Sequence, residues 1–130
     1  MKLLLDSHSL LWYVLGDSQL SSNATACILD PSNEVFVSIA SLWEIAIKVS
    51  INKLTLHRPY HEFLDKCFVD YGFALLLIEQ KHLIHASSLP YPGNHRDPFD
   101  RLLVAQSKEE GMSIVSNDVG LDWYGVSRIW

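Results

Sequence analysis

Apolar residues recur along this chain in two alternating patterns, short unbroken runs and longer stretches with a helical repeat. Lys2 to Leu5 is a compact apolar run ending on Asp6, and Leu10, Leu11 and Val14 then recur at helical spacing within Ser9 to Leu15. A second helix is predicted from Ser21 or Ser22 to about Leu29. Glu34 to Val37 is rich in β-formers and reads as a strand. The helix predicted next spans about Ile39 to Val49, with Ile39, Leu42, Trp43, Ala46 and Val49 on one face.

The second half repeats the alternation. Pro59 opens a helix through about Val69, Gly72 ends it, and Phe73 to Ile78 reads as a buried strand. Glu79 to Ser87 is a further helix, after which Pro90, Pro92 and Gly93 mark a loop. Asp97-Pro98 opens a helix that runs to Gly111, where a C-terminal glycine cap belongs. Met112 to Val115 is a strand leading into Ser116-Asn117-Asp118, and a last short strand is expected around Val126 to Ile129. Continuous strand cores separated by helices predict a buried, mostly parallel sheet with helices on both faces, the α/β class. Without linker, repeat or low-complexity tract, residues 1–130 read as one domain.

Composition narrows the function. Hydrophobic residues make up 48% and charged residues 19%, a globular balance. No apolar run approaches a membrane span, and Asp6 and His8 interrupt the N-terminal run before a signal sequence can form, so a cytoplasmic protein is expected. Cys27 and Cys67 have no metal-site spacing and read as small buried hydrophobes. The net charge of −5 argues against a phosphate-binding partner unless bound cations turn a positive face to phosphate.

Four carboxylates carry the candidate chemistry. Asp6 and Asp118 each follow an apolar strand, and ligands of parallel sheets bind beyond strand carboxyl ends. Glu44 is flanked by Ile45, Ile47 and Ile51, and Asp100 precedes Leu102-Leu103-Val104-Ala105. Acids on such faces are costly unless paired or coordinated. Each also has a purely structural reading. Asp6 can cap the helix after it, Asp118 can be a turn residue, and Ser41 to Glu44 matches a capping box, with Lys48 in reach of Glu44. Asp97 suits the N-cap position, with Pro98 at N1 and Asp100 at N3. A shared cation would satisfy all four acids at once. Hard oxygen ligands select Mg²⁺ or Mn²⁺ over zinc, and the histidines, His57 and His61 included, show no zinc-site pattern.

Three blocks in order, Leu4-Leu5-Asp6-Ser7-His8 with Leu11-Trp12, Ser41-Leu42-Trp43-Glu44-Ile45-Ala46-Ile47-Lys48, and His95-Arg96-Asp97-Pro98-Phe99-Asp100-Arg101 through Gln106 followed by Ser116-Asn117-Asp118, resemble the PIN-domain nucleases. The likeness is strongest to the toxins of VapBC toxin–antitoxin pairs and runs over essentially the whole chain. It implies a three-layer α/β/α sandwich and an endoribonuclease that hydrolyses RNA phosphodiesters with Mg²⁺ or Mn²⁺. It carries catalytic and metal-ligand roles onto Asp6, Glu44, Asp100 and Asp118, the last acting directly or through water. A second-metal role for Asp97 stays open beside its capping role. Ser116 is expected to orient the acids. His95, Arg96 and Arg101 are candidate contacts to the RNA backbone, with a salt bridge inside the acid cluster as the alternative for Arg101. A cognate antitoxin and a homodimer are the implied protein partners.

Two positions depart from the family pattern. Ser7 stands where Thr is common, and Ile51-Asn52-Lys53-Leu54 where Gly-Lys-Leu is frequent; neither removes an acid. Among rival readings, an aspartyl-phosphate phosphatase of the haloacid-dehalogenase type needs a second Asp two residues after the first, and His8 stands there. A non-catalytic PIN-like module has no reason to keep all the acids. The acids alone do not separate RNA cleavage from a flap-type DNA nuclease.

Overall fold

In the computed structural model, which describes residues 1–130, five strands form one sheet in the order β3-β2-β1-β4-β5. They are β1 (Lys2–Leu5), β2 (Glu34–Ser38), β3 (Ala74–Leu76), β4 (Ser113–Val115) and β5 (Arg128–Ile129). Every pairing is parallel, with Leu4 opposite Phe36 on one side and Ile114 on the other. Six α-helices surround it: α1 (Ser7–Leu15), α2 (Ser22–Leu29), α3 (Ile39–Ser50), α4 (Tyr60–Asp65), α5 (Gln80–Ser88) and α6 (Pro98–Glu110).

Alternation along the strands divides the core into two layers. Leu3, Leu5, Val35, Val37 and Val115 face Leu10, Val14, Ile28, Ile45 and Phe63 from the first four helices. The intervening Leu4 and Ile114 face the other way, Leu4 packing with Leu103 of α6 and Ile114 with Leu89, Val104 and Tyr124. The result is the expected three-layer sandwich, with a sheet parallel throughout.

Local signals set several boundaries where the sequence places them. Asp97 caps α6 by accepting the Asp100 N–H at 2.9 Å, Pro98 fills the first turn, and Gly111 closes the helix at φ 65°. Other elements differ from expectation. Ser38 caps α3, so Ser41 lies inside the helix and no Ser41–Glu44 capping box forms. The buried face of α3 turns on Leu42 and Ile45, while Trp43 is 63% exposed, against Phe99 at 5.7 Å between ring centroids. The apolar run from Phe73 to Ile78 yields only a three-residue edge strand, because Leu77 and Ile78 run past the sheet into solvent. The helix after Pro59 widens into a π turn at Lys66–Asp70. Cys67 is fully buried, and burial pushes its thiol up to about 12; Cys27 is half-buried, and both are free. No helix is long and apolar enough to cross a membrane.

Candidate active site

The chain passes from β1 to β2 to β3 on one side of the sheet and then returns to place β4 on the far side of β1. The carboxyl ends of β1 and β4 therefore flank the switch point of the sheet, where open α/β folds bind their ligands. Asp6 follows β1 directly and Asp118 lies three residues after β4. The Asp6 backbone N–H donates to the Val115 carbonyl at 3.3 Å, which ties the two strand ends together.

Two of the four acids, Asp6 and Asp118, are held by backbone N–H groups. Asp6, 6% exposed, caps α1 by accepting the Ser9 N–H at 2.8 Å, so the capping role and a place in the cleft coexist in one side chain. Asp118 accepts the Gly120 N–H at 2.9 Å at the head of a 3₁₀ turn, Val119–Tyr124. Ser116, fully buried, accepts the Asp118 N–H on its Oγ at 3.0 Å, which sets the position of that acid. Glu44 projects from α3 and pairs with Lys48 at 3.3 Å. Asp100 comes from the first turn of α6, beside the capping Asp97.

These residues meet in one cleft of about 380 Å³. Asp6, Glu44, Asp97, Asp100 and Asp118 line it with Ser7, His8, Lys48 and Asn117, and no hydrophobic side chain contributes. Asp97, expected as a cap, is thus also part of the wall. The larger hollow of the molecule, about 590 Å³ and lined by Tyr13, Pro31 and Tyr71 among others, opens at the amino ends of β2 and β3, away from the acids.

Crowding shows in the electrostatics. Desolvation raises the Asp100 carboxyl to about 7, and the charges of Asp97, Asp118, Asp6 and Glu44 add to it. A carboxylate held among like charges is relieved by a cation, and the oxygen-only acid set fits a hard divalent ion. Lys48 is the single ammonium in the cleft and stands against Glu44 alone.

The three basic candidates separate. His95 enters the cluster, with Nε2 at 3.3 Å from Asp100 Oδ2 and 4.0 Å from Asp118 Oδ2. Arg101 does not. Its buried guanidinium donates to the carbonyls of Leu89 and Pro90 and to the Tyr124 hydroxyl, and it stacks 3.7 Å from the Tyr91 ring centroid. It braces the loop before α6, so the salt bridge to the acids does not form. Arg96 is exposed, donates to Asn94 Oδ1 at 3.1 Å and lies outside the cleft lining. Tyr124, which sequence reasoning did not single out, joins Arg101 to His95; no local pattern marks an aromatic in a 3₁₀ turn as part of a site.

A PIN domain model matches residues 3–125. No curated protein matches the chain by sequence. Among solved structures, VapBC2 from Rickettsia felis bound to a DNA fragment from their promoter is similar with a TM-score of 0.74 at 13% identity, covering 98% of this chain and 97% of that one. DNA-bound VapBC from Salmonella typhimurium gives 0.71 at 16% identity, with 98% and 96% covered. FitAcB from Neisseria gonorrhoeae gives 0.68 at 13% identity, with 97% and 95% covered. At these identities the likeness is one of fold, and it extends over the strands and helices that carry the acids. With the model match running from β1 through the last 3₁₀ turn, the chain belongs to the PIN domain family.

Proposed function

We propose that this PIN domain is a divalent-cation-dependent endoribonuclease that hydrolyses RNA phosphodiesters, with Asp6, Glu44, Asp100 and Asp118 as its catalytic acids. The observation that carries the reading is the gathering of five carboxylates around a cleft without hydrophobic lining, at the switch point of the sheet, with Asp100 raised to about 7. Asp6 and Asp100 would hold a Mg²⁺ or Mn²⁺ ion, with Glu44 beside them and Asp118 acting through water. Asp97 is kept for its cap, with a ligand role as a secondary one. A bound ion of this kind lowers the pKa of a water and offsets the charge that develops on a phosphoryl group. The chain's own acids orient that water, and Ser116 keeps Asp118 in place.

The family resemblance, together with structural neighbours that are VapBC and FitAcB structures, supports a toxin restrained by a cognate antitoxin. Such a partner would cover the acid cleft with a basic side chain, its charge complementary to the acids. Assembly as a homodimer and action in the cytoplasm belong to the same reading. His95, beside Asp100 and Asp118, would contact the RNA backbone, with Arg96, exposed and next to Asp97 in sequence, as a second contact; Arg101 supports the loop that carries them.

The test is to incubate total RNA with the protein and Mn²⁺ and to sequence the new ends, with Asp6→Asn as control and single-stranded DNA of matched sequence alongside. New RNA ends that vanish in Asp6→Asn support the reading. Cleavage of DNA but not RNA would replace the substrate, and equal activity in Asp6→Asn would sink the site.

A further inference from the structure

The imidazole of His95 meets different chemistry at its two nitrogens. Nε2 faces Asp100 and Asp118, and the ligand atoms of these three side chains all lie within 4.8 Å of one another. On distance alone the trio would suit a cation. The other nitrogen decides against it. Nδ1 stands 2.8 Å from the Tyr124 hydroxyl, whose oxygen also accepts from Arg101 Nη1 at 3.2 Å. A guanidinium can only donate, so the one acceptor within reach of the tyrosine proton is His95 Nδ1. Tyr124 is buried, and its proton turned elsewhere would be left without a partner. A neutral imidazole that accepts at Nδ1 carries its hydrogen on Nε2 and has no lone pair there to give a metal.

We propose that His95 is a hydrogen-bond donor into the acid cleft, locked in its Nε2–H tautomer by Tyr124 and Arg101, and that it serves a phosphodiester oxygen of the substrate instead of ligating the cation. The target rests on the nuclease reading; the tautomer does not. Tyr124 and Arg101 act through His95 and are positioning residues. Arg101 is itself fixed by the Leu89 and Pro90 carbonyls, at 3.0 and 2.7 Å. The edge-on contact between the His95 and Tyr124 rings, at 5.5 Å and 82°, sets the plane of the imidazole. With the acids turned to a cation, the Nε2–H beside Asp100 and Asp118 would be left as a donor without its carboxylate partners. That suits an anionic oxygen brought in by substrate.

Long-range ¹H–¹⁵N spectra of the uniformly labelled full chain, with His95→Gln assigning the peaks, read the tautomer directly. The expected result at pH 8 is a protonated Nε2 and an unprotonated Nδ1, unchanged in type when Mg²⁺ is added, and a mixture of tautomers in Tyr124→Phe. A protonated Nδ1, or a coordination shift of Nε2 on adding Mg²⁺, overturns the proposal. In cleavage, His95→Ala should lose on the order of ten- to a hundredfold in kcat/KM. His95→Gln, which keeps an amide donor, should recover part of that loss, and equal losses in the two variants would overturn the donor role. A wild-type protein that cleaves no RNA sinks the nuclease reading and the phosphodiester target with it, while the spectra decide the tautomer separately.

Discussion

Lys48 Nζ stands 3.3 Å from Glu44 Oε2, one turn away on α3, and it is the only ammonium lining a cleft of five carboxylates. The pair places a monovalent counterion where a divalent one is expected. Lys48→Met should therefore act in opposite directions on the two states. Without metal, the variant should lose about 0.5 kcal/mol in urea denaturation, the ordinary size of such a pair. With Mn²⁺, it should bind the ion more tightly, because a like charge has left the cleft. Calorimetric titration checks the second outcome, and weaker Mn²⁺ binding would contradict it.

Asp100 gives the pH dependence. Its carboxyl titrates at about 7 in the folded protein against an ordinary 3.8, so between these values the folded state holds a proton that the unfolded state has lost. That contribution to stability is complete at the acid end of the window and is lost as pH rises through about 7. Metal-free protein should accordingly be stabilised by Asp100→Asn at pH 8, by about 5 °C in Tm, and much less at pH 4. If Asp100 ligates the cation as proposed, proton and cation would compete for the same oxygens, and Mn²⁺ affinity should fall as pH drops below about 7. Thermal scans at the two pH values, with and without Mn²⁺, read both effects.

Ser116 offers a test of how the acids are held. Ser116→Ala leaves the Asp118 N–H without its 3.0 Å acceptor beside a fully buried position. The expected cost is about 1–2 kcal/mol in stability together with a loss of cation affinity. Ser116→Thr keeps the hydroxyl and should restore both. Chemical denaturation and Mn²⁺ titration of the two variants make the comparison.

Outside the acid cleft, His82 serves as a control. Its fully buried ring accepts the Glu79 N–H on Nδ1 at 3.0 Å and meets Glu110 through Nε2 at 2.8 Å. Lys81 also binds Glu110, at 2.9 Å; first that contact and then His82 hold its carboxyl below the usual range. His82→Ala should destabilise the fold by about 2–4 kcal/mol through the cavity and the unpaired Glu79 N–H. Activity per folded molecule should stay unchanged, so Tm falls while the cleavage rate at low temperature holds.

Much of this architecture is legible in the chain because local signals are strong where the site is built. The Asp97-Pro98 start and Gly111 stop bound α6 within the sequence, and the apolar runs before Asp6 and Ser116 place β1 and β4. Asp6, Asp100 and Asp118 come to the cleft because strand ends and helix starts are themselves locally encoded, while Glu44 reaches it from the middle of α3. What escaped depends on rotation and on contacts distant in sequence. The start of α3 and the inward placing of Ile39, Leu42 and Val49 follow the helical repeat, but the helix is rotated so that Ile45 is buried and Trp43 lies outside. Arg101 follows Asp100 directly, and one residue along a helix turns a side chain by roughly 100°. It therefore points to the Leu89 and Pro90 carbonyls while Asp100 points to the acids. The partnership of His95 with Tyr124 spans 29 positions and leaves no mark in either local sequence.

The central claim is that the gathered carboxylates form a cation site that cleaves RNA. Its most direct measurement is the rate of single-stranded RNA cleavage by wild type and by Asp100→Asn in Mn²⁺, before and after chelation. Cleavage by wild type that chelator stops and Mn²⁺ restores, with loss of at least about a thousandfold in a folded Asp100→Asn protein, is the predicted result. Cleavage that survives chelation, or that Asp100→Asn retains in full, would contradict the account.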